Sequence, residues 1–496
     1  MTLLAAFALT SCNLDLFPET DYNEGNVQAS GEGSTESQYS TRADMEGLRN
    51  AIYQDWTKDI QEKGYLDWLV YTECRSDNAY GGNPGTGELM AIEANRQDGE
   101  NKNVERDWDW YLGQVSKCNN IIFNIDRIKE ADESMTEKEW KEWKSEAYCW
   151  RAWTLFQMSQ IWGDIPLVNS IPPAISADNI EDVYKDYYPP RTARVDVYKQ
   201  IVGELEFAAE NAPETDPSNK HLFTKAFAHG MLARIFAEET LRNWEQVAKH
   251  CEAIEKMNYE LVDDYAQMWA YDETDAVRNT SESIFEVSFT RSSGNWVWMM
   301  FHRNAYNPTD SYSWIKWITP SRDLVAAYEK EGDNVRKNAC ICEDEAIWSN
   351  YYPGNKYKFM HKMPTNATSI ILMRLGEIYL LHAEALAKTG DLKGATDYVN
   401  KIRKRAGLKD IDVPATENDA IDAILHERRL ELAFEGFRFY DLLRHGFERV
   451  KTVHDAMPQK DSYWQMRLPL TEETVLMPIP QGALDNNPSL EPNKGY

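Results

Sequence analysis

Trp296, Trp298, Phe301, Tyr306, Tyr312, Trp314 and Trp317 fall within residues 296–317. Their spacing fits neither the strand period of two nor the helical period of 3.6, so they do not form one amphipathic face. Ser292, Ser293, Asn295, His302, Arg303, Asn304, Asn307 and Asp310 interleave with them. Flat rings beside Asn, Asp and Arg suit saccharides: the C–H face of a pyranose stacks on indole or phenol, and its hydroxyls take directed hydrogen bonds. Such rings also pack well inside a protein with a single polar partner, so two or three of the seven are expected at the surface. A second polar and aromatic stretch runs from Arg75-Ser-Asp77-Asn78-Ala-Tyr80-Gly-Gly-Asn83 to Trp108 and Trp110.

Motifs for covalent chemistry or cofactor binding are missing. The chain has no GxxxxGK[ST] phosphate loop, no GxGxxG, no HExxH and no GxSxG. Nine histidines lie without metal-ligand spacing. Cys340-Ile-Cys342 has no second Cys/His pair at zinc spacing, so no metal and no cofactor are expected. Abundant carboxylates could supply a glycosidase pair, but abundance makes any chosen pair uninformative. Weight therefore shifts from catalysis to binding. Glu427, Glu431 and Glu435 share a helix face beside Arg428, Arg429, Arg438 and Asp441. This segment is expected to be an ion-paired network locking a helix to its neighbours.

Leu9-Thr10-Ser11-Cys12, after the apolar run 3–9, has the bacterial lipobox pattern: small residues enter the signal peptidase and the Cys12 thiol receives diacylglycerol. No Lys or Arg precedes Cys12, so residues 1–11 read as a truncated lipoprotein signal peptide. Two or three acyl chains suffice for stable anchoring. Residues 12–40 then read as the lipidated Cys and a flexible tether. The other cysteines, Cys74, Cys118, Cys149, Cys251, Cys340 and Cys342, permit disulfides by their even count, but spacing assigns no pairs. A net charge of −28 at pI 4.8 repels polyphosphate and argues against nucleic acid.

These residues need a scaffold, and the sequence supplies one that is mainly α. Apolar positions three and four apart mark helices over 44–61, 104–130, 137–162, 194–211, 224–239, 243–257, 370–388, 392–405, 418–435 and 437–447. Strand signal is scarce, clearest at Ser283-Ile-Phe-Glu-Val-Ser-Phe289. Residues 370–405 pair two helices around Gly390-Asp391, with Ala383 and Ala395 twelve apart, the offset of a tetratricopeptide-like hairpin. Residues 224–257 resemble a second hairpin, and 146–160 part of another. Such hairpins cannot bury their faces alone and are expected to stack as one superhelical scaffold with long irregular loops and few short strands. The tail from Met477 to Tyr496 is read as an extended strap.

In the order in which they occur, these blocks resemble the SusD/RagB-type nutrient-binding outer-membrane lipoproteins. The resemblance is carried by Cys12; by Glu73-Cys-Arg75-Ser-Asp77-Asn78; by Lys117-Cys-Asn119-Asn120; and by Glu146-Ala-Tyr-Cys-Trp-Arg151-Ala152-Trp153 through Trp162-Gly163-Asp164-Ile-Pro166-Leu167-Val168. It continues through Arg374-Leu-Gly-Glu377 to Ala383-Glu384-Ala385, Asn400-Lys-Ile402-Arg403-Lys-Arg405-Ala406-Gly407, Glu427-Arg428-Arg429 to Arg444, and Asn487-Pro488 with Gly495-Tyr496. It implies an N-terminal SusD-like part over 41–220 and a C-terminal RagB/SusD-like part over 221–496, forming one compact body. It implies a lipid anchor at the outer membrane, exposed at the cell surface, a SusC-like TonB-dependent transporter as partner, and an oligosaccharide or polysaccharide as ligand. No catalysis is expected. Local chemistry and the regions that carry ligand contacts in such proteins select Asp77, Asn78, Tyr80, Trp296, Trp298, Tyr306 and Trp314 as ligand-binding candidates, with Cys12 lipidated. The alternatives are peptide capture on the same scaffold and a surface glycoside hydrolase.

Overall fold

The computed structural model describes residues 39–81, 87–172, 180–302, 316–346 and 351–496. Cys12, Tyr306 and Trp314 lie outside the described residues. A run of helices, each packed on the next, forms the frame. Lys102–Ile122 lies against Glu137–Trp162, which packs on Arg194–Asn211; that helix meets the hairpin Lys225–Ala237 and Trp244–Glu255. The hairpin continues into Leu375–Thr389 and Leu392–Arg405, against which Glu417–Glu431 closes. This is the expected stacking of helical hairpins.

Local chemistry sets the helix ends. Thr136 and Glu139 form a capping box: the Glu139 amide donates to Thr136 Oγ1 at 3.1 Å, and the Thr136 amide to Glu139 Oε2 at 2.9 Å. Gly390 turns the C-terminal hairpin at φ +96°, and Asp391 caps the next helix by accepting from the Gly394 amide at 2.8 Å. Ala383 and Ala395 are buried between the paired helices, where small side chains allow close approach.

Three boundaries differ from the sequence expectation. Residues 370–374 form a strand, not the first turn of a helix; Ile370–Arg374 pairs antiparallel with Ser283–Val287, Val287 opposite Ile370 and Ser283 opposite Arg374. An Ile-Ile-Leu-Met run fits a buried strand as well as a buried helix, and the partner strand decides. The expected helix over 104–130 breaks at Phe123–Asn124, where the Asn124 amide side chain donates to the Asn120 carbonyl at 2.9 Å. The expected helix over 418–435 stops at Glu431. Phe434 (φ +64°) and Gly436 (φ +82°) turn the chain there, and a Cβ on Gly436 would sit 2.3 Å from Trp68 Nε1. Helices Arg322–Glu331 and Asn334–Cys340 lie between the predicted helices 243–257 and 370–388, where the sequence reading marks none, and Phe447–Lys460 extends the C-terminal body.

Most of the large rings are core. Trp56, Trp108, Trp150, Trp153 and Trp162 are fully buried, and Trp56 meets Trp150 edge-on at 4.3 Å between centroids. Among the described residues Cys74, Cys118, Cys149, Cys251 and Cys340 are free thiols, all buried. No helix among the described residues is long and apolar enough to cross a membrane.

Candidate functional site

The charged segment 427–444 is a buried ion network that positions everything around it. Arg374, with no exposed surface, reaches Glu282 at 2.7 Å, Glu431 at 2.6 Å and Glu435 at 2.7 Å. Arg336 bridges Asp333, Glu427 and Glu431. Burial alone would raise the Glu431 carboxyl, but Arg405, Arg374 and Arg336 outweigh it and hold it well below the usual range. Arg428 and Arg444 clasp Asp441 and Glu384 on the other side.

The same network takes up Asp77 and Asn78. Arg438 binds Asp77 bidentately at 2.9 and 3.1 Å, and Arg429 donates to Asn78 Oδ1 at 2.9 Å. Asn78 in turn donates to Glu73 at 2.7 Å. Burial would raise the Asp77 carboxyl, but Arg429 and Arg438 hold it below its ordinary value. Both side chains are buried, so a ligand hydroxyl would have to displace a guanidinium to reach them. Their work is to fix the strand that follows, Ala79–Gly81, which pairs with Ile318–Pro320.

Tyr80 is on that strand. It is fully buried, and its ring is the floor of an aromatic cluster. Tyr351 stacks on it at 4.5 Å and 8°, and Trp464 approaches at 4.8 Å. Tyr463 leans on Tyr351 at 4.8 Å and remains 45% exposed. The cluster continues through Tyr352, Tyr357 and Phe359 to His302, whose ring meets Phe359 at 4.9 Å. It therefore runs from the end of the 296–302 stretch to Tyr463 across two antiparallel strand pairs, the second being Ile341–Asp344 with Tyr357–Met360.

Arg322 and Asp461 form the polar edge. The Arg322 guanidinium lies 5.0 Å from the Tyr463 ring centroid and 5.1 Å from that of Tyr352, and it donates to Asp461 at 2.9 Å. Tyr80 Oη donates to the same carboxylate and accepts the Arg322 amide at 3.0 Å. Burial, and then Asp461, push the Tyr80 phenol up, so it stays a donor. Beneath the rings, Glu93 accepts from the Trp464 indole at 2.7 Å and from the Gly81 amide at 3.1 Å.

Burial pushes the Glu93 carboxyl up to about 7, against the pull of Arg467 and its two donors. Between pH 4.5 and 7 the unfolded chain would ionise while the folded one keeps its proton, so stability falls as pH rises through that window and levels off above it. Glu93→Gln removes this slope. The difference in melting temperature, native minus variant, should decline from pH 4.5 to 7; a flat difference would show that Glu93 titrates alike in both states.

Trp296 and Trp298 are half-buried on the rim of the main core. The Trp296 amide donates to Gln61 Oε1 at 2.8 Å and the Trp298 amide to Asn295 Oδ1 at 3.2 Å, which fixes the backbone and leaves part of each indole open. The structure thus brings Tyr80, His302 and an unanticipated set, Arg322, Tyr351, Tyr352, Asp461, Tyr463 and Trp464, into one cluster, from which Tyr463 and Arg322 reach the surface. Ser462-Tyr463-Trp464 beside Asp461 was the available sequence signal, a pair of rings in a polar loop. A recess of about 650 Å³ lies elsewhere, lined by Arg191, Arg194, Asp164, Glu472, Glu473 and Lys494. No aromatic ring lines it. Among the described residues no group of three or more His, Cys, Asp or Glu side chains is placed to hold a metal.

Comparison with known proteins supplies the context. Residues 298–496 match the model described as SusD family, and residues 32–237 match the one described as starch-binding associating with outer membrane. The chain is 25% identical over 482 residues to SusD-like protein P38 of Formosa agariphila, covering 88% of this chain and 89% of that one. It is 33% identical over 156 residues to the starch-binding protein SusD of Bacteroides thetaiotaomicron, 30% of this chain and 25% of that one. The solved surface glycan-binding protein A of Bacteroides fluxus superposes with a TM-score of 0.73 at 22% identity, covering 92% of this chain and all of that one.

Proposed function

Because the chain belongs to the SusD family, we propose that it is a cell-surface lipoprotein that captures oligosaccharides by ring stacking and polar contacts and delivers them to a TonB-dependent outer-membrane transporter. The observation that carries this reading is the half-exposed Tyr463 ring, braced by Tyr351 and Tyr80 and edged by Arg322 and Asp461. A rigid ring costs little order on binding, and the flanking polar groups give direction to hydroxyl contacts. Trp296 and Trp298, half-buried on the main core, and Tyr306 and Trp314 are assigned to ligand contact from the sequence alone. Asp77, Asn78 and Tyr80 serve the Tyr463 ring from beneath. The ligand leaves this site unchanged.

Titration calorimetry or affinity electrophoresis against a broad panel of polysaccharides and oligosaccharides tests the reading. Binding of at least one, with no new reducing ends after long incubation, is expected. Failure with the whole panel defeats the capture role, and new reducing ends would make the chain a hydrolase. Delivery is tested by co-purification with a transporter from the outer membrane. Anchoring is proposed at Cys12. Cys12→Ala should release the protein from the membrane fraction, and full retention would assign the attachment to another group.

A further inference from the structure

Charged side chains lie around the aromatic cluster. Among the described residues three cations lie over its rings, and each is already engaged. Arg322, beside Tyr80, Tyr352 and Tyr463, is paired with Asp461. Lys358, 5.9 Å from the Tyr352 centroid, is paired with Glu343. Arg467, 4.7 Å from the Trp464 centroid, is buried and donates to the carbonyls of Ser76 at 3.0 Å and Cys74 at 2.6 Å. Lys460, next to Asp461 in sequence, is paired with Asp323 at 3.0 Å. An anionic sugar would compete with these carboxylates and approach a chain of net charge −28. A neutral one meets the exposed guanidinium edge of Arg322 as a hydroxyl-sized donor, without that cost.

Resting on the capture role proposed above, we infer that this site takes neutral glycans and excludes uronate- and sulfate-bearing ones, and that Asp461 sets this choice by neutralising Arg322. Asp461 is placed for the task. Its Oδ2 accepts from Tyr80 Oη and Arg322, while its Oδ1 accepts from the Tyr463 amide at 3.0 Å, so one carboxylate both orients the exposed ring and cancels the cation beside it. Asn at this position keeps an acceptor for the Tyr463 amide and loses the charge.

The test compares the intact protein with neutral polymers (amylopectin, a mixed-linkage β-glucan, xyloglucan, galactomannan) and anionic ones (polygalacturonate, alginate, chondroitin sulfate) by affinity electrophoresis at low and moderate salt. At least one neutral polymer should bind at least tenfold more tightly than every anionic one. Asp461→Asn should narrow that gap at low salt by strengthening uronate binding at least threefold, and added salt should remove the gain. Anionic polymers bound as well as neutral ones would overturn the inference and leave the capture role standing. An Asn variant with normal melting and no gain would remove Asp461 from the choice. If no polymer binds, the capture role fails, and the inference with it.

Discussion

Arg374→Met is expected to destabilise the protein by roughly 3–5 kcal/mol, the range for removing one partner of a buried, hydrogen-bonded ion cluster. Arg374 is fully buried and makes charge-assisted bonds to Glu282, Glu431 and Glu435, with a further bond to the Glu431 carbonyl at 2.9 Å. It is also the hinge between the strand Ile370–Arg374 and the helix Leu375–Thr389. Met fills a similar volume, so packing changes little and the loss reports the charge. Arg405, Arg336 and Lys362 remain, but they are committed to their own carboxylates, and one negative charge is left without compensation in a dry interior. Arg374→Lys should recover little of this, since an ammonium cannot reproduce the planar fork that serves three carboxylates. Urea unfolding monitored by tryptophan fluorescence measures the effect. A loss below about 1 kcal/mol for the Met variant would mean that water enters the cluster and solvates the orphaned carboxylate.

This network was legible in the sequence because helical spacing places Glu427 and Glu431 on one face and arginines crowd around them. The scaffold was legible for the same reason: hairpins announce themselves through small residues at fixed offsets and a turn such as Gly390-Asp391. Residues 370–374 were not, because four apolar residues in succession satisfy either period until a partner strand is present. The aromatic cluster was the least legible part. Its rings come from positions 80, 351, 352, 357, 359, 463 and 464, so no local window contains it. Asp77 and Asn78 look like ligand groups beside Tyr80 because the side chains that consume them, Arg429 and Arg438, lie more than 350 residues away in the chain. Local composition locates polar residues near rings; it does not say which have been claimed by the interior.

Tyr463→Ala should weaken capture of a bound oligosaccharide about 10- to 100-fold, or roughly 1.4–2.8 kcal/mol, the scale of an aromatic hot spot in a binding surface. The ring is already 45% exposed, so its removal should cost the fold no more than about 1 kcal/mol. Its neighbour gives the contrast. Trp464 is 2% exposed and donates to Glu93, so Trp464→Ala should unfold the loop or cost about 3–5 kcal/mol, and any loss of binding there would be secondary. Trp298→Ala falls between, since its indole is half-buried on the core. The pattern across the three variants is the measurement: calorimetric affinity for the glycan set against melting temperature. If Tyr463→Ala binds within twofold of the native protein while Trp298→Ala loses affinity without melting earlier, the ligand sits on the 296–302 side of the cluster and Tyr463 is a bystander. If both lose affinity and melt normally, the saccharide contacts both rings.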